Sequence, residues 1–126
     1  MKDVVFLKGE PFPAKVAVSQ QEQSRGLMFA HWPPPVMVFP YKQAAIRKFW
    51  MCNTPSPLDI VYCHAGQVVQ ILPGEPLSTR LVGPDAPVDF VVELPAGTAS
   101  RIGLAKGDHV VFRPSVATAA RILLEG

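Results

Sequence analysis

Fourteen prolines interrupt a chain of 126 residues, and no other feature limits its architecture as strongly. Proline breaks helix interiors and marks turns. A chain this short with so many of them reads as brief elements joined by tight turns, which favours β structure. The nine glycines raise the combined share to about 18%, still below the roughly 25–30% of low-complexity chains. Hydrophobic residues make up 48%, so a packed core is expected rather than disorder. The length suits one domain spanning 1–126. At this size roughly two-thirds of the unfolded surface can be buried without help from disulfides or metal.

Twelve basic and ten acidic residues leave a net charge of +2. That is too little for an electrostatic footprint on nucleic acid or membrane. The opening Met1-Lys2-Asp3-Val4-Val5-Phe6-Leu7-Lys8-Gly9 lacks the apolar core of a signal peptide, and no run approaches the roughly 18 apolar residues of a membrane span. A soluble, cytoplasmic protein is the expectation.

Apolar periodicity predicts strands over 3–7 and 14–18. Ser19 and Glu22 form a capping-box pattern, opening a helix near 20–25 that Gly26 stops. The segment 31–35 reads as an extended connector, followed by a short strand Val36–Phe39 closed by Pro40. Residues 47–52, 58–63 and 67–72 read as a meander with Ala65-Gly66 as its second turn. In 88–94, Val88, Phe90, Val92 and Leu94 share one face, with Asp89, Val91 and Glu93 on the other. Thr98 is placed to cap a helix near 98–104, and Gly107-Asp108 turns into a last strand from His109 to Phe112. Val116, Ala119, Ala120, Leu123 and Leu124 fall on a helical stripe, predicting a docked C-terminal helix over 116–125 with Ser115 as N-cap. The fold class expected is mainly β, a small barrel-like antiparallel sheet with these short helices.

Three motifs carry a resemblance. They are Arg25-Gly26-Leu27-Met28-Phe29, then Phe49-Trp50-Met51 with Asn53-Thr54 and Pro57-Leu58-Asp59-Ile60, then Val92-Glu93-Leu94-Pro95-Ala96-Gly97 followed by Gly107-Asp108. In order and spacing the chain resembles the bacterial and archaeal family catalogued as domain of unknown function 192, over about 14–112, with 115–126 as an extension. The resemblance implies a small β domain of barrel-like architecture and no agreed activity, substrate or cofactor. The chain departs from the family pattern at Pro35-Val36-Met37-Val38-Phe39 and at Cys52, where a Lys is common, and the export leader of many relatives is not expected here.

If 47–52 pairs with 58–63 about the loop 53–57, Cys52 faces Leu58 and Cys63 faces Arg47. The thiols then lie on opposite faces, and no disulfide is expected. In this register Asp59 joins Arg47, Phe49, Met51, Val61 and Cys63 on a largely apolar face. A carboxylate there must be paired, hydrogen-bonded or proton-shifted. Asp59 is therefore a candidate acid/base or ligand anchor, or else a structural group holding the loop. Glu93 is a second acid/base candidate, expected to be exposed or paired with a base. Arg25 either complements the helix C-terminus and pairs with Asp59 or Glu93, or binds an anionic ligand. Trp50 shares a predicted face with Lys48, Cys52, Ile60 and Tyr62, as a pocket wall or as core. Asn53 opens a loop of the kind that often carries function.

Arg25, Trp50, Asn53 and Asp59 are expected to line one cleft. His31, His64 and His109 are too scattered for a metal set, and nucleophile, phosphate-loop and dinucleotide motifs are missing. Lys42, Arg47 and Lys48 beside aromatic residues faintly suggest stacking on single-stranded nucleic acid, which the low charge opposes. The reading is a non-enzymatic module binding a small molecule or a protein, without cofactor, metal, nucleic acid or membrane. The alternatives are a small hydrolase or isomerase using Asp59, and a homo-oligomeric structural protein packed through its tail helix. Oligomeric state is left open.

Overall fold

The computed structural model describes residues 2–125. β1 (Val4–Leu7) and β2 (Glu10–Val16) are joined by Lys8-Gly9, both at positive φ, the backbone that a two-residue hairpin requires. After α1 (Gln20–Arg25) come β3 (Val36–Ala45), β4 (Leu58–His64) and β5 (Gln67–Gly74). Ala65-Gly66, also at positive φ, turns β4 into β5. β6 (Val88–Pro95), α2 (Thr98–Ile102), β7 (Val110–Arg113) and α3 (Val116–Glu125) complete the chain. The strands form one curled sheet in the order β5-β4-β6-β3-β2-β1-β7. Its two edge strands approach each other at one end, where Gln67 bridges His109 and the Val110 amide donates to the Gly66 carbonyl at 2.9 Å. The β2–β3 pairing is parallel and the others are antiparallel.

Each face of the central strands has its own core. The inner cluster holds Val5, Leu7, Val38, Val61, Cys63, Val92 and Leu94. The outer cluster holds Leu27, Phe39, Met51, Leu58, Ile60, Tyr62 and Val91. It is covered by α1, the following turn and the long connections on either side of β4 and β5. Both cysteines are free, and burial pushes the Cys63 thiol up to about 12.

Several sequence expectations are corrected. Residues 47–52 do not pair with β4, whose two neighbours are β5 and β6. This segment instead lies against 78–83, through a Phe49–Val82 bridge and a Met51 amide donating to Ser78. Gly83 permits that approach, because a Cβ there would meet the Arg47 carbonyl oxygen. The valine-rich β6 gives β4 six paired positions, more than the loop-bound 47–52 segment could. Pro40 does not end β3, which runs on to Ala45 with a register shift after Pro40, where the missing N–H is tolerated. Val88 lies with Val91 in the outer cluster rather than on the face of Phe90, Val92 and Leu94. β2 starts at Glu10 and ends at Val16.

α2 is N-capped at Gly97 rather than by Thr98, whose hydroxyl donates to the Pro95 carbonyl. α3 forms over the expected residues, with the Ser115 hydroxyl accepting from the Thr118 amide. It docks by polar contacts rather than by its apolar stripe. The Asp3 carboxylate accepts from the Ser115 amide and the Thr118 hydroxyl, and Arg121 pairs with Glu22. Val116, Leu123 and Leu124 remain 79%, 75% and 86% exposed.

Candidate functional site

α1 is placed by its capping box: the Ser19 hydroxyl accepts from the Glu22 amide at 3.1 Å, and the Glu22 carboxylate accepts from the Ser19 amide at 3.0 Å. It ends at Gly26, at φ +49°. Phe39 Cζ and Glu93 Oε1 both lie 3.6 Å from where a Gly26 Cβ would be, so the chain leaving α1 passes directly over the Glu93 carboxyl. Across from α1 stands the 47–54 segment, closed by a turn in which the Thr54 amide donates to Met51 and Asn53 adopts φ +55°. Between these walls opens a cleft of about 260 Å³. Its floor carries Phe39 and Tyr41 from β3 and Glu93 from β6, and its walls carry Arg25, Lys48, Phe49, Trp50 and Thr54.

Glu93 is 4% exposed. Its cross-strand neighbours are Met37 on β3 and Ile60 on β4, which have no donor to give. It makes no side-chain hydrogen bond or ion pair among the described residues. Among the described residues every fully enclosed side-chain nitrogen or oxygen has a partner, so the unpartnered Glu93 oxygens keep an opening onto the cleft. Burial in this apolar setting lifts its carboxyl from 4.5 to about 8. At pH 7 it is therefore mostly a neutral acid. Tyr41 is raised to about 12 by burial, with the Glu93 charge adding and Arg47 opposing. Tyr62 rises for the same first reason, and its hydroxyl donates to the Val82 carbonyl at 2.5 Å.

The cations near the cleft differ in how far they are committed. Lys48 Nζ donates to the Gly83 and Pro84 carbonyls and pairs with Asp85 at 2.8 Å. Arg47 donates to the Val88 and Gln43 carbonyls and stacks on the Tyr41 ring at 3.5 Å. Arg25 is exposed at the mouth, makes no ion pair among the described residues, and lies 5.7 Å from the Phe29 ring centroid. The residues that suggested nucleic-acid stacking are thus largely tied to carbonyls, Lys42 included, through Leu123.

Of the residues expected to share one cleft, the structure brings Arg25 and Trp50 together and adds Glu93. Asn53 lies outside the lining, exposed, with its carbonyl accepting from Phe29. Asp59 sits over the inner face, half-buried, where its Oδ2 accepts from the Gly97 and Ala99 amides at 3.1 and 2.9 Å. It caps the start of α2 rather than the loop 53–57. The expectation of an exposed or base-paired Glu93 is overturned, because the face it shares with Val91 is a second core. Tyr41 and Phe49 join the site beyond the sequence candidates; their place beside Trp50 in an aromatic-rich stretch is the signal for them. No group of three or more His, Cys, Asp or Glu with metal-holding geometry occurs among the described residues. No helix is long and apolar enough to cross a membrane.

Two solved structures share this fold. A protein of unknown function from Novosphingobium aromaticivorans is 28% identical, with a TM-score of 0.76 over 88% of this chain and 84% of the other. A protein from Sinorhizobium meliloti described as a "putative transcription regulator" is 26% identical, with a TM-score of 0.78 over 88% of this chain and 92% of the other. No curated protein matches the sequence. The family model DUF192, described as Uncharacterized ACR, matches residues 4–112, starting ten residues before the span expected from the motifs because β1 and most of β2 belong to the sheet. The chain is a member of the DUF192 family.

Proposed function

We propose that this protein is a non-enzymatic binding module for a small molecule, and that its site is the cleft between α1 and the 47–54 segment. The observation that carries this reading is Glu93. Raising its carboxyl from 4.5 to about 8 costs the fold roughly 3 kcal/mol at pH 7. A hydrophobic residue at that position would avoid the cost. Perturbed groups of this kind concentrate at functional sites, and this one opens onto a concave, aromatic-walled space. Asp59, already engaged by two backbone amides, serves the scaffold in this reading.

The test is a thermal-shift screen of the full chain against small metabolites of varied charge, repeated with Glu93→Gln and with Ser24→Trp, which fills the cleft mouth. Compounds that stabilise the wild type and neither variant support the site. Compounds that stabilise all three equally defeat it.

A second reading is favoured by one observation: a carboxyl titrating near 8 is matched to general acid–base work at neutral pH. Glu93 rather than Asp59 would then carry a hydrolysis or isomerisation. Mass analysis of a bound compound after incubation separates the two readings, since a binding module returns it unchanged and an enzyme does not.

A further inference from the structure

We propose that the ligand is an amphoteric small molecule of amino-acid type, its ammonium group held on the Glu93 carboxylate among the aromatic rings and its anionic group held by Arg25 at the mouth. This rests on the reading of the cleft as a ligand site and deepens it.

Several polar groups around the cleft are already engaged. The Thr54 hydroxyl donates to the Cys52 carbonyl, the Gln23 amide to the Ala17 and Pro40 carbonyls, and Lys48 is bound to Asp85 and two carbonyls. The Tyr41 hydroxyl and the exposed Gln20 and Ser24 side chains also line the cleft and remain available as neutral partners; what distinguishes the site is its uncommitted charge-bearing groups. Deep in the cleft an acid remains, and at the mouth a guanidinium remains. A free acid inside and a free cation outside are complementary to a molecule carrying the opposite charges in the opposite order.

The inner wall agrees with this polarity. Phe39 and Phe49 meet edge to face at 5.0 Å, and Tyr41 and Trp50 complete an aromatic surround. Ring faces attract a cation. A desolvated carboxylate requires a counter-charge and donors, and an ammonium group supplies both. The titratable groups facing Glu93 are Tyr41, Tyr62, Lys48 and Cys52, with Arg25 at the mouth; none of them pairs with it. Size adds a limit. About 260 Å³ lies just below the usual range for drug-sized ligands, which suits a molecule of amino-acid dimensions. The half-exposed Trp50 and exposed Leu81 at the rim suit an apolar side group.

The proton balance is definite. An ammonium ligand arriving at pH 7 converts the Glu93 acid to carboxylate, and the displaced proton goes to solvent. An uncharged ligand would release none.

The experiment is titration calorimetry of the full chain at pH 7, in two buffers of different ionisation enthalpy, with four matched probes: L-phenylalanine, phenethylamine, 3-phenylpropionate and 2-phenylethanol. The expected order is L-phenylalanine tightest, phenethylamine next, and the other two at least tenfold weaker, with close to one proton released for the two amines. Glu93→Gln should weaken both amines at least tenfold. Arg25→Ala should bring L-phenylalanine to the affinity of phenethylamine without weakening phenethylamine. 3-Phenylpropionate or 2-phenylethanol binding as tightly as L-phenylalanine, amine binding that ignores Glu93→Gln, or no binding of any probe would overturn the amphoteric assignment. In those cases, a different metabolite whose thermal shift vanishes in Glu93→Gln would keep the ligand site standing. If no compound of any class depends on Glu93, both readings fall.

Discussion

Two carboxyl groups lie one residue out of step on the same pair of strands, and they meet opposite fates. Asp59 on β4 stands opposite Leu94, and Glu93 on β6 stands opposite Ile60, so the two point to opposite faces of the sheet. On the inner face Asp59 accepts from two backbone amides at the start of α2 and remains half-buried. On the outer face Glu93 is more deeply buried and has no partner among the described residues. The first arrangement stabilises the scaffold. The second destabilises it and leaves an acid facing a cleft. Burial alone therefore does not mark a functional carboxyl; burial without satisfaction does.

The sharpest way to break this comparison is to remove the charge from the outer face. An acid whose folded pKa is raised is protonated in the folded state while still ionised in the unfolded chain. Between about 4.5 and about 8 the unfolded state therefore binds fewer protons, and stability falls as pH rises through that window. Below it the penalty is absent, and above it the penalty is full. Glu93→Gln should raise the unfolding free energy by roughly 3 kcal/mol at pH 7 and flatten this part of the pH profile. Urea denaturation across pH 4 to 9 measures both. A variant no more stable than wild type, with an unchanged slope, would mean that Glu93 is satisfied in solution.

On the inner face the same operation should have the opposite sign. Asp59→Ala leaves the Gly97 and Ala99 amides without their acceptor and should cost about 2 kcal/mol. Ligand binding at the cleft should be unchanged once the protein is folded. If Asp59→Ala instead abolished binding with no loss of stability, the two carboxyls would have to exchange roles.

The cleft itself depends on a close backbone approach. A Cβ at Gly83 would press on the Arg47 carbonyl oxygen and come within 3.1 Å of the Lys48 side chain. Gly83→Ala should destabilise the fold by about 1–2 kcal/mol and displace the 47–52 wall, weakening any cleft ligand. Gly9→Ala, with nothing within 4 Å of the added carbon, controls for the loss of a glycine, since its own positive φ of +83° penalises only the β1–β2 turn.

Much of this comparison could be read from the sequence, and the missing part has a physical cause. Alternation in 88–94 correctly set Glu93 with Val91, because side-chain period is a local property. Capping at Ser19 and Glu22, the Ala65-Gly66 turn and the helix over 116–125 are local in the same way. What local patterns could not supply was the second cover. That the outer face is roofed by α1 and by 47–57 follows from contacts far apart in the chain, such as Phe49 with Val82 and Phe29 with Asn53. The hairpin expected for 47–63 failed for the same reason: β6, some thirty residues later, is the better partner for β4. Without the roof Glu93 reads as a solvated residue and Asp59 as the buried one. The tail shows the converse: its apolar stripe predicts an inward face by pattern, while its polar face makes the contacts.

The smallest effect belongs to the attachment of that tail, where the α1 carboxyl that holds it is satisfied and half-exposed, and it extends the contrast to a third setting. Glu22 sits between the α1 capping box and Arg121 of α3, which approaches to 2.8 Å. The Arg121 guanidinium and the capping amides hold its carboxyl at about 2, down from 4.5. A lowered folded pKa gives stability that is present above the unfolded value and lost as pH falls through the folded one. The attachment of α3 should therefore hold at pH 5 and loosen from about 4.5 downward, opposite in sign to the Glu93 profile. Both groups are substantially exposed, so screening keeps the effect small and salt-sensitive. Arg121→Ala should speed amide exchange in α3 by roughly threefold at pH 6, and 0.5 M salt should produce much of the same increase in the wild type. Exchange across β4 and β6 should be unaffected. If it rises in parallel, α3 is coupled to the central sheet, and the polar contacts of Asp3 and Glu22 support more of the fold than their exposure implies.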